Sequence, residues 1–331
     1  MLAAVFMLQL SACQSLQKKD DDKKKPDTTQ TQAKQYTEKW VLSPSIKAQS
    51  IYSLPIVSFN ENTNHYDVTY GDYYAIQKGG KFGLIDSNGK FIFEPEFASI
   101  ETCPCYEGYI VTVQEGAYYT STYHISASNQ KLWAYPHECA GFTGYSYLWN
   151  DAASKIMTEY SGTDASAAKE LKPVLPEAMQ ITDGSAPTGK YVIVNGGKAV
   201  SAKEFTGAGV FTGGLVALES KGKWGYVDSL GNTVIPFEFD AVENYSALKN
   251  KSNTPYECSE GYITVFRNGR YGIYNVEGEE VIPCQYTYLT TVHNGRAFAS
   301  EDGRTWGILL VDEKISNGIK SVEASTSAAA A

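Results

Sequence analysis

Long apolar runs, basic charge and catalytic signatures are what this sequence has least of. Beyond the first dozen residues no stretch approaches the roughly 18 apolar residues that cross a bilayer, so any hold on a membrane comes from the extreme N-terminus. A formal net charge of −9 leaves no basic footprint for the phosphate contacts that dominate nucleic-acid affinity, which removes nucleic acid from the expected partners. The four histidines, His65, His124, His137 and His293, fall in no paired ligand spacing, and Cys103-Pro104-Cys105 lacks a second pair at zinc-finger spacing. No metal and no cofactor is expected. There is no G-x-S-x-G elbow, phosphate-binding loop or dinucleotide fingerprint, and no acidic pair that local spacing alone sets up as general acid and base. No catalytic residue is assigned, and the chain is read as a non-enzyme.

What is present is tyrosine, glycine and repetition. With 24 Tyr among 331 residues and 13% aromatics, the composition leans toward β-structure. Three stretches align over 18 positions without a gap: GKFGLIDSNGKFIFEPEF at 80–97, GKWGYVDSLGNTVIPFEF at 222–239 and GRYGIYNVEGEEVIPCQY at 269–286. Glycines at Gly79-Gly80, Lys221-Gly222, Asn268-Gly269 and Asp302-Gly303 sit between apolar strands, where tight hairpins need positive φ. Three residues before Gly89, Gly231 and Gly278 stand Asp86, Asp228 and Asn275, the pattern of a type I turn closed by glycine. Beyond that turn Phe93, Pro95 and Phe97 alternate, as do Ile235, Phe237, Phe239 and Ile282, Cys284, Tyr286, so one face of each strand is expected inside. Each unit reads as a small antiparallel meander that must stack on neighbours to bury its apolar face.

This pattern resembles the WG repeat, a bacterial tandem β-repeat. The hallmark aromatic and glycine of that family fall on Phe82-Gly83, Trp224-Gly225, Tyr271-Gly272 and Trp306-Gly307, the last with one residue inserted. A weaker copy lies at Gly189-Lys190-Tyr191, with Val192 in the glycine place, and weakening toward the ends is what capping units show. A structural role in the repeat core is the simpler assignment for these aromatics; the alternative is a sugar-stacking surface, for which Tyr66–Tyr74 and Tyr145–Trp149 are also dense enough. The expected fold is all-β, a tandem array of WG-type meanders; irregular spacing and the long middle insertion favour an open, solenoid-like form, with a closed, propeller-like form as the alternative. Residues 164–180, with Asp164 as N-cap and Pro173 as breaker, read as a short helical insertion.

The N-terminus adds a second resemblance. Residues 1–12 are a short apolar run ending in small side chains, and Leu10-Ser11-Ala12-Cys13 resembles the lipobox of bacterial lipoprotein signal peptides. The departure from that pattern is the absence of Lys or Arg before Lys18. The resemblance implies lipidation at Cys13, a lipid anchor in the bacterial cell membrane and an extracytoplasmic body. The following charged stretch has the composition of a disordered tether, which divides the chain into signal peptide 1–12, lipidated Cys13 with tether to 39, repeat domain 40–315 and disordered tail 316–331.

Beyond Cys13 five cysteines remain, Cys103, Cys105, Cys139, Cys258 and Cys284, an odd number that cannot pair fully within one chain. Cys105 and Cys258 hold matching places in CYEGYI and CSEGYI, as small apolar residues at a repeat packing position do. Three functions compete: a binding or scaffolding module for a protein partner, a cell-wall polymer or carbohydrate binder, and an unrecognised hydrolase. The first fits an array of repeats best, because such arrays present extended surfaces.

Overall fold

The structure, a computed structural model, describes residues 36–60, 65–102, 108–117, 119–125, 132–134, 177–183, 186–196, 198–200, 203–242 and 255–316. These residues belong to one compact unit that begins at Tyr36. Its strands are β1 (Trp40–Lys47), β2 (Ser50–Asn60), β3 (His65–Lys78), β4 (Lys81–Asp86), β5 (Phe91–Phe97), β6 (Ser99–Thr102), β7 (Tyr109–Glu115), β8 (Tyr119–Ile125), β9 (Leu132–Ala134), β10 (Glu177–Asp183) and β11 (Ala186–Asn195). They continue with β12 (Lys198–Ala199), β13 (Gly207–Ala208), β14 (Leu215–Ser220), β15 (Lys223–Asp228), β16 (Thr233–Phe239), β17 (Tyr262–Arg267), β18 (Arg270–Asn275), β19 (Glu280–Tyr286), β20 (Tyr288–Leu289), β21 (Arg296–Ser300) and β22 (Thr305–Leu310).

These strands form six antiparallel sheets that follow the chain: β2 to β5, β6 to β9, β10 to β12, β13 to β16, β17 to β19, and a sixth in the order β1-β22-β21-β20. The hairpins follow from local stereochemistry. Lys221 and Gly222 both take positive φ, 55° and 75°, the conformation of a two-residue turn whose twist matches the strands it joins. The next reversal is the expected Asp-led turn. Asp228 Oδ1 accepts Leu230 N at 2.9 Å and Asn232 N at 2.8 Å, and Gly231, at φ 87°, closes it. Asp302-Gly303 departs from the tight two-residue form: only Gly303 has positive φ, and Asp302 Oδ1 holds the wider loop through Arg304 N and Thr305 N.

The first, fourth, fifth and sixth sheets each pack between two others, which is why their middle strands are apolar on both faces. Strand β15 is buried over Trp224–Val227 and β22 over Trp306–Leu309. Ile193 of the third sheet packs with Val216, Leu218 and Val227 of the fourth. The fourth meets the fifth through Trp224, Tyr226, Phe239, Ile263, Val265 and Tyr274. Tyr271, Ile273 and Tyr286 of the fifth meet Leu289, Ala297 and Leu309 of the sixth. The sixth then packs on the first through Phe298, Trp306, Ile308, Ile51, Tyr74 and Ile85, and the first on the second through Leu54, Leu84, Ile100 and Val111.

The array therefore returns on itself in a propeller-like way. The first strand of the unit is the outer strand of its last sheet, where Ile46 pairs with Trp306 and Leu42 with Ile308. The Trp306 repeat is consequently no capping unit: it is an interior member whose outer strand comes from the other end of the chain. Three further boundaries move. The expected tether to residue 39 is already part of the fold at its end, because Tyr286 Oη donates to Glu38 Oε1 at 2.7 Å and Leu310 N to Lys39 O at 2.8 Å. Ser316, expected at the head of a disordered tail, is buried and accepts Arg296 Nε at 3.1 Å. Residues 177–180 of the expected helical insertion are strand, since Glu177 to Gln180 pair with Val194 to Tyr191; the remainder of that segment lies outside the described residues.

Candidate functional site

The hallmark positions are where the sequence concentrates its signal, and they are built as joints. In the first sheet Phe82 pairs with Phe97 and Leu84 with Phe93, so Gly83 alone faces residues 94–96. The same bulge recurs at Gly225, between Phe239 and Ile235, and at Gly272, between Tyr286 and Ile282. A Cβ on Gly83 would stand 2.5 Å from Phe93 O, one on Gly225 2.8 Å from Ile235 O, and one on Gly272 2.6 Å from Ile282 O. The missing side chain makes room for the bulged backbone. Because three residues stand opposite one glycine, the bulge adds two residues, and the even alternation expected for the outer strands fails at its centre: Ile235 and Phe239 are buried while Phe237 is half-buried.

The sixth sheet repeats this geometry with parts from both termini. Gly307 faces residues 43–45, and a Cβ there would meet the Trp40 ring at 2.5 Å and Leu42 O at 2.8 Å. The hallmark aromatics are core: Trp224 is 5%, Tyr271 7% and Trp306 1% exposed, and Phe82 is half-buried with an edge-on contact to Tyr52. Tyr74 in the tyrosine-dense segment is fully buried, and Tyr70 Oη donates to Glu257 Oε2 at 2.6 Å. These rings pack; they do not form an open stacking face. The segment Tyr145–Trp149, like Cys13, Cys103, Cys105, Cys139 and His137, lies outside the described residues.

The Asp-led turns are a second joint, each docked on the preceding sheet. Ser87 Oγ accepts Asn294 Nδ2 at 3.1 Å and Asn88 Oδ1 accepts Arg296 Nη1, which ties the first sheet to the sixth. Ser229 O accepts Asn195 Nδ2 at 3.0 Å, tying the fourth to the third. A Cβ on Gly278 would collide with Val234 O, so that turn lies against β16 of the fourth sheet.

Around Asn294-Gly295 gathers the most polar cluster among the described residues. His293, 13% exposed at its side chain, places Nε2 2.9 Å from Asp72 Oδ1 and Nδ1 3.5 Å from Glu260 Oε1. Close as that approach is, Nε2 has no aligned hydrogen-bond partner. Glu260 also accepts Asn294 N at 2.8 Å and Gly295 N at 2.9 Å. Nearby hydroxyls are committed elsewhere: Ser259 Oγ donates to Val292 O and Tyr262 Oη to Asp312 Oδ2 at 2.7 Å. Chemically the cluster is a seam that joins the first, fifth and sixth sheets. Its only sequence signal is a recurring x-Gly turn, Glu260-Gly261 and Asn294-Gly295, each with positive φ at both residues.

The two described cysteines, Cys258 and Cys284, are free thiols. Burial pushes the Cys284 thiol up to about 11, which leaves it protonated and poorly nucleophilic at neutral pH. Cys258 lies against Gly213 of the fourth sheet, as the packing reading of CSEGYI expects. Among the described residues no group of three or more His, Cys, Asp or Glu converges on a metal position.

A family model described as the WG containing repeat matches residues 82–118, 224–247 and 271–304. No curated protein matches the sequence. Among solved structures the chain is similar to the WD40 β-propeller domain of Doa1, at 8% identity over 82% of this chain and 95% of that one with a TM-score of 0.26. It is similar to the β-propeller domain of the Trilobed protease from Pyrococcus furiosus at 11% identity, over 82% of this chain and 97% of that one, again with a TM-score of 0.26. The propeller-like arrangement is read from the strand pairing and sheet packing of this chain.

Proposed function

Since this is a WG repeat-containing protein, we propose that it is a non-catalytic binding or scaffolding module for a protein partner, held outside the cytoplasm on the bacterial cell membrane by a lipid on Cys13. The observation that carries the reading is where the repeat chemistry is used. Trp224, Tyr271 and Trp306 are buried between sheets, and the glycines beside them admit bulged backbone. The repeated residues hold the array together, which leaves recognition to the turns and outer edges that differ from copy to copy. Leu230, 68% exposed at a turn tip where the first repeat has Asn88, is one such difference. The anchor is supported by the lipobox-like Leu10 to Cys13 and the charged stretch behind it. Among the described residues no helix is long and apolar enough to cross a membrane.

Two measurements test the two halves. Labelled palmitate should enter the native protein, and Cys13→Ser should move it to the soluble or secreted fraction; unchanged membrane retention of the variant overturns the anchor. Crosslinking on intact cells should capture a reproducible protein partner. Retention on purified wall polymer with no crosslinked protein favours the carbohydrate binder instead, and reproducible turnover in a hydrolase screen overturns both.

A further inference from the structure

We propose that residues 36–47 are an exchangeable strand, and that two copies of this chain associate by each lending its β1 to the sixth sheet of the other. The first observation is how little holds β1. Six of its eight residues are exposed and only Trp40 and Ile46 are half-buried, whereas β21 is buried throughout and β22 over its four central residues. Its detachment withdraws two side chains, Trp40 and Ile46, from the apolar clusters they cover, so it opens at a fraction of the cost of unfolding the unit. The second is that β1 is terminal in the folded unit. Its loss breaks no other pairing, since it pairs with β22 alone.

Once β1 leaves, β22 presents a bare edge with a specific imprint. Gly307 has the space that the Trp40 ring fills, and Tyr286 and Gln285 of the neighbouring sheet have lost Glu38. An open edge of this kind takes an added strand. The strand that fits it in register, with residues 43–45 bulging over Gly307 and Glu38 reaching Tyr286, is the same strand of a second copy. The connection to the body favours the exchange. Only Ala48 and Gln49 lie between β1 and β2, and both are fixed, Ala48 N to Arg304 O and Gln49 N to Gln77 O. A two-residue connector that straightens carries β1 away from its own β22, the condition under which identical elements swap between protomers. Reciprocal exchange is isologous, so it closes at two copies.

The register supplies the test. Exposed Lys47 and half-buried Thr305 are paired across β1 and β22, with Lys47 Nζ donating to Thr305 Oγ1 at 2.8 Å. A full-length Lys47→Cys chain and a differently tagged Thr305→Cys chain are mixed, incubated and mildly oxidised. The expected result is a covalent heterodimer whose share rises with protein concentration, beside a single chain carrying both substitutions that closes its own bond when dilute. Light scattering on the unsubstituted chain should show a dimer over the same concentrations. The proposal is overturned by the absence of the heterodimer, or by equal crosslinking when Leu230→Cys replaces Thr305→Cys.

Discussion

The fifth and sixth sheets reach one geometry by two routes. In the fifth, β17, β18 and β19 follow one another without interruption, and Gly272 opens to a bulge only a dozen residues downstream. In the sixth, no described residue downstream of β22 pairs with it, and the bulged strand arrives from residues 40–47. Leu42-Ser43-Pro44-Ser45-Ile46 stands against Trp306 and Ile308 as Phe93-Glu94-Pro95-Glu96-Phe97 stands against Phe82 and Leu84. The joint is thus specified by the stereochemistry of an aromatic, a glycine and a proline-bearing strand, and chain continuity is incidental to it. Continuity matters instead for energy. The contiguous outer strand is tied at one end by a turn, whereas Lys47 of β1 meets a partner 258 residues away, a long loop closure that slows assembly.

The largest effects should come from the aromatics shared by both sheets. Trp306→Ala and Trp224→Ala each remove a buried ring, and each should cost about 3–5 kcal/mol in denaturant unfolding. Trp306 also donates Nε1 to Ala48 O at 3.3 Å, so its loss additionally loosens the connector. A cost for Trp306→Ala below about 1 kcal/mol would break the equivalence of the composite sheet with the contiguous ones. A sharper contrast comes from the glycines. Gly272→Val drives a side chain into Ile282 O and Cys284 N, backbone that its turn cannot release, and should cost roughly 1–3 kcal/mol. Gly307→Val meets mainly the Trp40 ring, so β1 should yield first. Hydrogen exchange over residues 40–47 should accelerate in that variant while the fifth sheet keeps its protection; equal stability losses with no local change would show β1 to be as fixed as β19.

The smallest effect is electrostatic. Lys223 donating to Asp240, with Asn268 N, holds that carboxyl below the usual carboxylate range, and Tyr262 with the backbone of residues 314 and 315 does the same for Asp312. A carboxyl depressed in the folded state adds stability that is whole above the unfolded value of about 4 and is lost as pH falls through the lower folded value. The melting temperature should therefore fall as pH drops below about 4, and Asp312→Asn should flatten part of that fall. Both residues are half-buried and still reached by solvent, which screens the contacts and keeps each share small. An unchanged acid profile in Asp312→Asn would remove the Tyr262 contact from the forces that hold the C-terminal turn against the fifth sheet.

Much of this was legible from residues alone where the signal was contiguous. The three aligned copies gave the hairpins, the Asp-led turns and the identity of the core aromatics, because each depends on neighbours a few positions away. The pairing of Ile46 with Trp306 is invisible to any window read along the chain, although Leu42 to Ile46 carry the same proline spacing as Phe93 to Phe97. His293 between Asp72 and Glu260 is likewise a product of three sheets meeting, and no local spacing predicts it. At Glu177 to Gln180 the helical periodicity was real but short, and pairing with β11 overrode it. The even alternation assigned to the outer strands failed at Phe237 because it is the central residue of the bulge, while Ile235 and Phe239 on either side keep the same phase.

That bulge has a consequence for crowding. The outer strands β1, β5, β16 and β19 carry Pro44, Pro95, Pro236 and Pro283 within their bulged segments. A proline offers no N–H, and a bulge twists the strand out of the flat, regular ladder on which a foreign strand could zip. Each rim is thus a poor template for cross-chain β-stacking, so copies held close together at a surface can touch through their outermost strands without seeding fibrils. The residues that let each meander close around a glycine also insulate it from its neighbours on other molecules.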